Sequence, residues 1–283
     1  MLPPRLAVAL VALLVVPLAH TAPHAQAAGP PDTFHRPLDQ ILDVNVRDGL
    51  VYYRALRSDR ARLDRYVASL NIPSATYDAW SREHKMAFWA NAYNAIVLQT
   101  VINHYPIHGV SSKYPANSIR QIPGAFEQAK HRVAGKSLTL DEIEKTVLPP
   151  FKEARLFLAL GRGAIGSGRL RSEAFAGEQI EKQLDDVQKE FVNQSAMVRV
   201  DRANGEIAVT PIISWREAEF VQAYDKGPSG PYAQRSPIER AVIAFIAPRL
   251  LPLEREFVQK NEFRMTFQPF DWRLNDLTGG RPQ

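Results

Sequence analysis

Apolar residues recur at helical spacing in one long segment of the chain, from position 81 to position 105. They lie three and four positions apart, which is the pattern of a helix that packs against a core. Pro106 follows directly and ends the predicted helix. Two amide side chains, Asn91 and Asn94, lie within this apolar run and share one side of the helix. Because an unpaired buried amide costs roughly 1 to 3 kcal/mol, both must meet polar partners, either loop backbone or a ligand.

Shorter patterns predict further helices and several short strands. Helices are predicted from Leu38, over 57–70, from Thr139, over 173–193, and from Ser214 and Ser236, and strands over 49–53, 156–160, 197–200, 206–210 and 263–270. The starts at Thr139, Ser214 and Ser236 each have a glutamate three positions on, which is the capping-box pattern. Residues 107–133 contain prolines and glycines and are predicted to be irregular. This order predicts an α+β fold, a single mainly helical domain packed on a small mixed or antiparallel sheet.

The first 27 residues have the pattern of a secretory signal peptide. An early positive charge is followed by an apolar run from Leu6 to Ala19 and by small residues at Ala25 and Ala27. This run is shorter than the roughly 20 apolar residues that a membrane-spanning helix needs. We therefore expect cleavage after Ala27 and an exported protein, periplasmic or extracellular, with no membrane span in its mature form. The predicted boundaries are a signal peptide over 1–27, a flexible tail over 28–37, the domain over 38–276 and a C-terminal tail over 277–283.

Charge and cysteine content narrow the classes of function. The net charge of +5 falls to +4 without the signal peptide, and both signs are interspersed, so nucleic-acid binding is not expected. The absence of cysteine excludes a disulfide and a thiolate zinc site. His104 and His108, with Glu127 and His131 further on, suggest a metal site, but Pro106 breaks the helical face that they would share. Neither a metal site nor a cofactor is expected.

Four segments of the chain resemble the domain-of-unknown-function family 547. They are 88–95, 137–144, 157–170 and 270–275. In that order they match an aromatic-x-Asn-x-Tyr-Asn-Ala helix, a helix start with leucine, an acidic residue and Ile-Glu, a strand with its loop, and an aromatic-Asp-Trp-x-Leu-Asn ending. The resemblance implies an α+β domain and no established reaction.

The chain departs from that family at three positions of the third segment. Where the family typically has a histidine and two cysteines, this sequence has Phe157, Arg162 and Ser167. A cysteine–histidine arrangement cannot exist at these positions. The resemblance therefore implies a divergent member that lacks any thiol chemistry of the family.

The glycine loop over 161–168 is the main candidate site. Its four glycines free the backbone to turn amides toward a ligand, and arginines supply fork-shaped donors for carboxylate or phosphate. The residues predicted to bind a small anionic ligand are Asn91, Asn94, Arg162, Gly163, Ser167 and Arg169. The alternatives are a surface turn with solvated arginines and asparagines that bond to backbone. The glycine spacing also matches a dinucleotide site, but no helix is predicted directly after the third glycine, so a dinucleotide site is not expected here.

Two classes of function fit the sequence, a binding or structural protein and an enzyme. A non-catalytic binding or structural domain, for an anionic ligand or a protein partner, is favoured. The alternative is a hydrolase, degenerate or serine-dependent, that uses Ser167 near Asn91, although this loop lacks the Gly-x-Ser-x-Gly pattern. The four tryptophans are predicted to lie in the core, although one could line a groove for a sugar or peptide. They are Trp80, Trp89, Trp215 and Trp272.

Overall fold

The computed structural model of the protein describes residues 32–109 and 111–279. Helices predominate and the strands are short, so the predicted α+β fold is confirmed. The helices are α1 Arg36–Asn45, α2 Tyr53–Ser58, α3 Arg60–Ser69, α4 Ser74–Asp78, α5 Arg82–His104, α6 Leu140–Glu142, α7 Ile180–Val192, α8 Pro211–Trp215, α9 Glu217–Tyr224, α10 Pro237–Ile246 and α11 Pro252–Lys260. The strands are β1 Val46–Arg47, β2 Leu50–Val51, β3 His131–Val133, β4 Lys136–Leu138, β5 Val198–Asp201, β6 Glu206–Val209 and β7 Arg264–Phe267. The predicted signal peptide lies outside the described residues.

The strands form three small sheets. β1 pairs with β2 and β3 pairs with β4, both antiparallel. In the third sheet β6 lies in the middle, antiparallel to β5 and parallel to β7. The turn between β5 and β6 contains Gly205 at a φ of 61°, which is the positive angle that an Asn-Gly pair supplies. The third sheet is mixed, which is one of the two arrangements, mixed or antiparallel, that the sequence predicts.

α5 is the central helix of the fold. The hydroxyl of Ser81 caps it by accepting from the backbone N–H of His84 at 3.2 Å. α2, α3 and α7 pack against it, and it is buried along most of its length. A helix that is apolar on nearly all sides is expected to be enclosed in this way. The predicted helix over 81–105 is thus confirmed.

Two of the predicted strands differ in the structure. The run over 156–160 is buried as predicted, but residues Ala154–Leu158 form a 3-10 helix instead of a strand. A short apolar run fits either conformation, so its length and period do not decide between them. The strand predicted over 49–53 is limited to β2, because Tyr53 begins α2.

Two of the three predicted capping boxes form. The hydroxyls of Thr139 and Ser236 accept from the backbone N–H three residues on, and the glutamate reaches back in each case. Ser214 instead lies inside α8, where its hydroxyl donates to the carbonyl of Pro211 at 2.9 Å. Thr210 is the cap of that helix. The proline at its first position, where a missing N–H costs nothing, fixes this earlier start.

Several boundaries also differ. The helix predicted from Leu38 begins at Arg36, after a 3-10 turn over Asp32–His35, so residues 32–37 of the predicted tail are folded. The helix predicted over 57–70 is divided into α2 and α3, and the one predicted over 173–193 begins only with α7. The elements α4, α11 and the β3–β4 hairpin are not predicted from the sequence.

Candidate functional site

The four segments that carry the family resemblance contact one another. Tyr93 of α5 donates a hydrogen bond to Glu144 at 3.2 Å, and Glu144 pairs with Arg162 at 2.7 Å. The backbone N–H of Gly166 donates to the carbonyl of Asp271 at 2.8 Å. Residues from α5, the turn after α6, the glycine loop and the C-terminal segment therefore meet in one polar region within the core.

The two asparagines of α5 hold loop backbone. Asn91 donates to the carbonyl of Phe175 at 2.8 Å and accepts from its N–H at 2.9 Å. Asn94 donates to the carbonyl of Ala159 at 3.1 Å and accepts from the N–H of Gly161 at 2.7 Å. Both side chains are buried. The geometry is that of the backbone alternative, in which the amides fix the path of two loops.

The glycine loop is buried and bonded within the protein. Its backbone donors go to the following acceptors: Gly161 to the side chain of Asn94, Arg162 to Ser167 Oγ, and Ile165 and Gly166 to the carbonyls of Arg273 and Asp271. A Cβ on Gly168 would lie 1.9 Å from the carbonyl oxygen of Leu158. Here the glycine permits a close approach of backbone to backbone. Amides that are already bonded in this way have little capacity left for an anion.

Of the other predicted site residues, Arg162, Gly163 and Ser167 lie in the buried loop, whereas Arg169 does not. Arg162 contacts the other two positions at which the chain departs from the family pattern, since it donates from its backbone to Ser167 Oγ at 3.0 Å and from its side chain to the carbonyl of Phe157 at 3.2 Å. Within the described part of the chain, Ser167 Oγ has no hydrogen bond to a histidine or a carboxylate. Gly163 has a φ of 65° in the loop interior. Arg169 lies at the surface and pairs with Asp48 at 2.7 Å.

Arg162 and Glu144 form a buried ion pair. Arg162 exposes 2% of its surface, and its guanidinium donates to the two oxygens of Glu144 at 2.7 and 3.2 Å and to the carbonyls of Phe157 and Leu160. Burial alone would raise the pKa of Glu144, but the charge and hydrogen bonds of Arg162 outweigh burial and hold the pKa below its usual value. Burial likewise works against the charge of Arg162, and Glu144 reverses this, so that the pKa of Arg162 is raised. Both groups are ionised, and the solvated-arginine alternative does not hold for Arg162.

A cleft of about 350 Å³ opens beside this pair. Its basic lining residues are Arg120, Lys145, Arg162 and Arg216, its acidic ones are Glu127, Asp141 and Glu144, and its aromatic ones are Phe126, Trp215 and Trp272. The capping box at Thr139 fixes the start of α6, and a π-helical turn over Ile143–Val147 follows. Such turns are rare in proteins, and those that occur often lie at functional sites. Arg216 lies at the junction of α8 and α9, and Arg120 lies in a 3-10 turn over Ile119–Gln121.

Two stacked indoles form one wall of the cleft. The rings of Trp215 and Trp272 lie 6.2 Å apart at an angle of 18°, and Phe270 contacts both, with ring centroids at 4.9 and 4.4 Å. Trp215 exposes 44% of its surface. Trp80 and Trp89 are buried in the core. The expectation that tryptophans are core residues is therefore right for two of the four, and the groove alternative fits the others.

Arg216 is a buried arginine with an unused donor among the described residues. It is 9% exposed, and its guanidinium lies 4.4 Å from the ring centroid of Phe157. Its Nη2 donates to Glu219, whereas its buried Nε has no acceptor among residues 32–109 and 111–279. An unsatisfied buried donor costs about 1 to 3 kcal/mol. Arg216 therefore has a donor available for a further hydrogen-bond acceptor.

Arg120 shows the same incomplete bonding. Its guanidinium lies 4.4 Å from the ring centroid of Phe126 and 4.6 Å from that of Trp272, which places it between two aromatic rings. It bonds Glu127 through Nη1, and its buried Nε has no acceptor in the described residues. The two incompletely bonded guanidinium groups thus line the same cleft.

Among the basic residues of the cleft, sequence reasoning identified only Arg162 as a candidate for ligand binding. Arg120 lies in a segment that is irregular and Arg216 lies between two helices, so no local pattern distinguishes either from a surface arginine. The closest signal in the sequence is the possibility that a tryptophan lines a groove.

No group of three or more histidine, aspartate and glutamate side chains in the described chain could hold a metal ion. Among the same residues no helix has the length and apolar character that crossing a membrane requires.

Part of this chain matches a known protein family. A family model described as a protein of unknown function, DUF547, matches residues 77–192. The matched segment contains Arg120, Glu144 and Arg162, whereas Trp215, Arg216 and Trp272 lie beyond it. Searches of the curated proteins and of the solved structures found no match.

Proposed function

Because the chain belongs to the DUF547 family over residues 77–192, a family of unknown function, we propose a function from the chemistry of the cleft. The protein is a non-catalytic binding protein that takes a small anionic ligand between Arg216 and Arg120. The observation that carries this proposal is Arg216, which is nine-tenths buried, lines the cleft and keeps a donor, Nε, without an acceptor among the described residues. A carboxylate or phosphate supplies acceptors that suit the guanidinium fork.

The charges around the cleft support a different role for Arg162 from the one predicted. Its guanidinium already donates to Glu144 and to two backbone carbonyls. It therefore neutralises the buried carboxylate of Glu144 and fixes the shape of the cleft. Arg216 and Arg120, whose bonding is incomplete, are the donors available to a ligand. The hydrolase alternative at Ser167 stays a prediction.

Isothermal titration calorimetry with acetate, benzoate, inorganic phosphate and glucuronate tests anion binding. At least one of these probes should bind saturably, and its affinity should fall as salt is added, because salt screens the attraction between the free anion and the arginines of the cleft. Arg216→Gln should lower the affinity by about tenfold or more, which corresponds to about 1.4 kcal/mol for the loss of a charged hydrogen bond.

Arg249→Gln is the matched control for this experiment. Arg249 also has a buried Nε without an acceptor in the described chain and pairs with an aspartate, Asp185, but it does not line the cleft. Its substitution should leave the affinity unchanged. The proposal is wrong if none of the probes binds the folded protein, or if the two substitutions reduce binding equally.

Export is part of the same proposal. Its support is the charged start, apolar run and small residues of positions 1–27. Expression with these residues, followed by cell fractionation and mass spectrometry, should recover a protein that begins at Ala28 outside the cytoplasm. Recovery of the uncleaved chain in the cytoplasm would contradict export without affecting the cleft.

A further inference from the structure

We infer that the cleft binds a carboxylated sugar, with the ring of the sugar on Trp215, its carboxylate on Arg216 and its hydroxyl groups on the acidic residues of the lining. This inference rests on the proposed anion-binding function and adds the class of ligand. Three properties of the cleft carry it: an aromatic platform, free acceptors and a balanced charge.

The platform is the indole of Trp215. Stacking against Trp272 and Phe270 fixes its orientation, yet nearly half of its surface, 44%, remains exposed. When a ligand covers a large aromatic side chain, apolar surface is removed from water, and the free energy of this step is favourable. The C–H face of a sugar ring offers an apolar surface of this kind, while its edge carries hydroxyl groups.

The acceptors lie on the acidic side of the cleft. Asp141 bonds Lys145 through Oδ2, and its other carboxylate oxygen has no donor among the described residues. The Glu127 side chain is 49% exposed beside Arg120. Carboxylate oxygens accept hydrogen bonds but cannot donate them when ionised, so they fit the hydroxyl groups of a ligand. Acetate or benzoate would bring no hydroxyl donor to these oxygens.

The charge balance favours a ligand with one negative charge over a ligand with two. The lining contains four basic and three acidic side chains, and Arg216 is further paired with Glu219 outside the lining. The formal charges of this group therefore cancel. A phosphate monoester carries about −1.5 to −2 charges near neutral pH, and most of that charge would lack a counterion here. A carboxylate on a hydroxylated ring adds one charge and shares the rest of its contacts through hydrogen bonds.

Calorimetric titration of matched probes tests this assignment. Glucuronate should bind about tenfold more tightly than glucose, which lacks the charge, than benzoate, which lacks the hydroxyl groups, and than inorganic phosphate. Trp215→Ala should reduce glucuronate affinity by about tenfold, whereas Trp215→Phe, which keeps an aromatic ring, should retain most of it. Phe267→Ala removes an aromatic ring that is 39% exposed and outside the cleft, and it should have no effect.

The outcomes separate the two proposals. If benzoate or phosphate binds as tightly as glucuronate and still requires Arg216, the anion site stands and the sugar assignment is wrong. The same conclusion follows if Trp215→Ala is folded, by circular dichroism, and binds glucuronate normally. If no anion binds in an Arg216-dependent manner, both proposals fail.

Discussion

Removal of the guanidinium of Arg162 is expected to destabilise the fold strongly. Arg162→Met keeps an apolar side chain in place but leaves the carboxylate of Glu144 buried, with Tyr93 as a hydrogen-bond donor and Arg216 as a nearby positive charge. Two opposite charges about 4 Å apart interact by about 4 kcal/mol at an effective dielectric constant of about 20. Breaking a buried pair by removing one partner costs about 3 to 5 kcal/mol. We expect the free energy of unfolding to fall by this amount near neutral pH.

A lower pH should reduce the difference in the free energy of unfolding between Arg162→Met and the native protein. In the native protein the pKa of Glu144 lies below its unfolded value of 4.5, so its stabilising contribution is present above that pH and is lost as the pH falls. In Arg162→Met, burial is no longer opposed by the pair, and the folded pKa rises above the unfolded value. The variant then gains relative stability as the pH falls and the carboxyl group takes up a proton.

Urea unfolding followed by tryptophan fluorescence, near neutral pH and again near pH 4.5, measures both effects. Arg169→Met is the control, because its exposed pair with Asp48 should contribute no more than about 1 kcal/mol. The double variant Glu144→Gln, Arg162→Met removes the unpaired buried charge and should recover part of the lost free energy of unfolding. A loss below about 1 kcal/mol near neutral pH, or one that acid leaves unchanged, would refute the reasoning.

Three further predictions concern stability. Asn94→Leu removes both bonds to loop backbone and should lower the free energy of unfolding in urea by about 2 to 5 kcal/mol; a loss under about 1 kcal/mol would mean that the loop does not depend on this amide. Gly168→Ala places a methyl group against the carbonyl of Leu158 and should cost about 3 kcal/mol or more, so an unchanged Tm would contradict the close contact. Burial lowers the pKa of His35 from 6.5 to about 3, so the unfolded chain binds more protons between these values and stability should fall by up to about 5 kcal/mol as the pH drops through them. His35→Phe should remove this part of the pH dependence in thermal or urea unfolding, whereas substitution of the exposed His108 by Gln should keep it; equal pH profiles for both variants would contradict the assignment.

Local sequence signals predicted the elements that local chemistry determines. The spacing of apolar residues defined α5, and hydroxyl–glutamate pairs defined the starts at Thr139 and Ser236. Prediction failed where tertiary contacts select the conformation. The apolar run over 156–160 is buried in either a strand or a 3-10 helix, and packing selected the helix. At Ser214 the pattern for a cap was present, but Pro211 and Thr210 had already started the helix.

From the sequence, the candidate site was predictable only at Arg162 and, as an alternative, at a tryptophan that lines a groove. The role of Arg162 depends on Glu144, which lies on a different segment, so the sequence suggested ligand binding where the structure shows an internal ion pair. The cleft itself combines Arg120, Arg216 and Trp272 from three separate parts of the chain. No spacing within the sequence connects these residues, because they lie in the 3-10 turn over Ile119–Gln121, between α8 and α9, and in the C-terminal segment, which only tertiary packing brings together.

NMR of the arginine Nε–H groups in isotope-labelled protein is the most direct test of the cleft as a binding site. Arg120, Arg216 and Arg249 each have a buried Nε atom without an acceptor in residues 32–109 and 111–279, and the first two arginines line the cleft. Addition of glucuronate should shift the signals of Arg120 and Arg216 saturably and leave that of Arg249 in place. Unchanged signals for the two cleft arginines, or equal shifts at all three, would contradict ligand binding in the cleft.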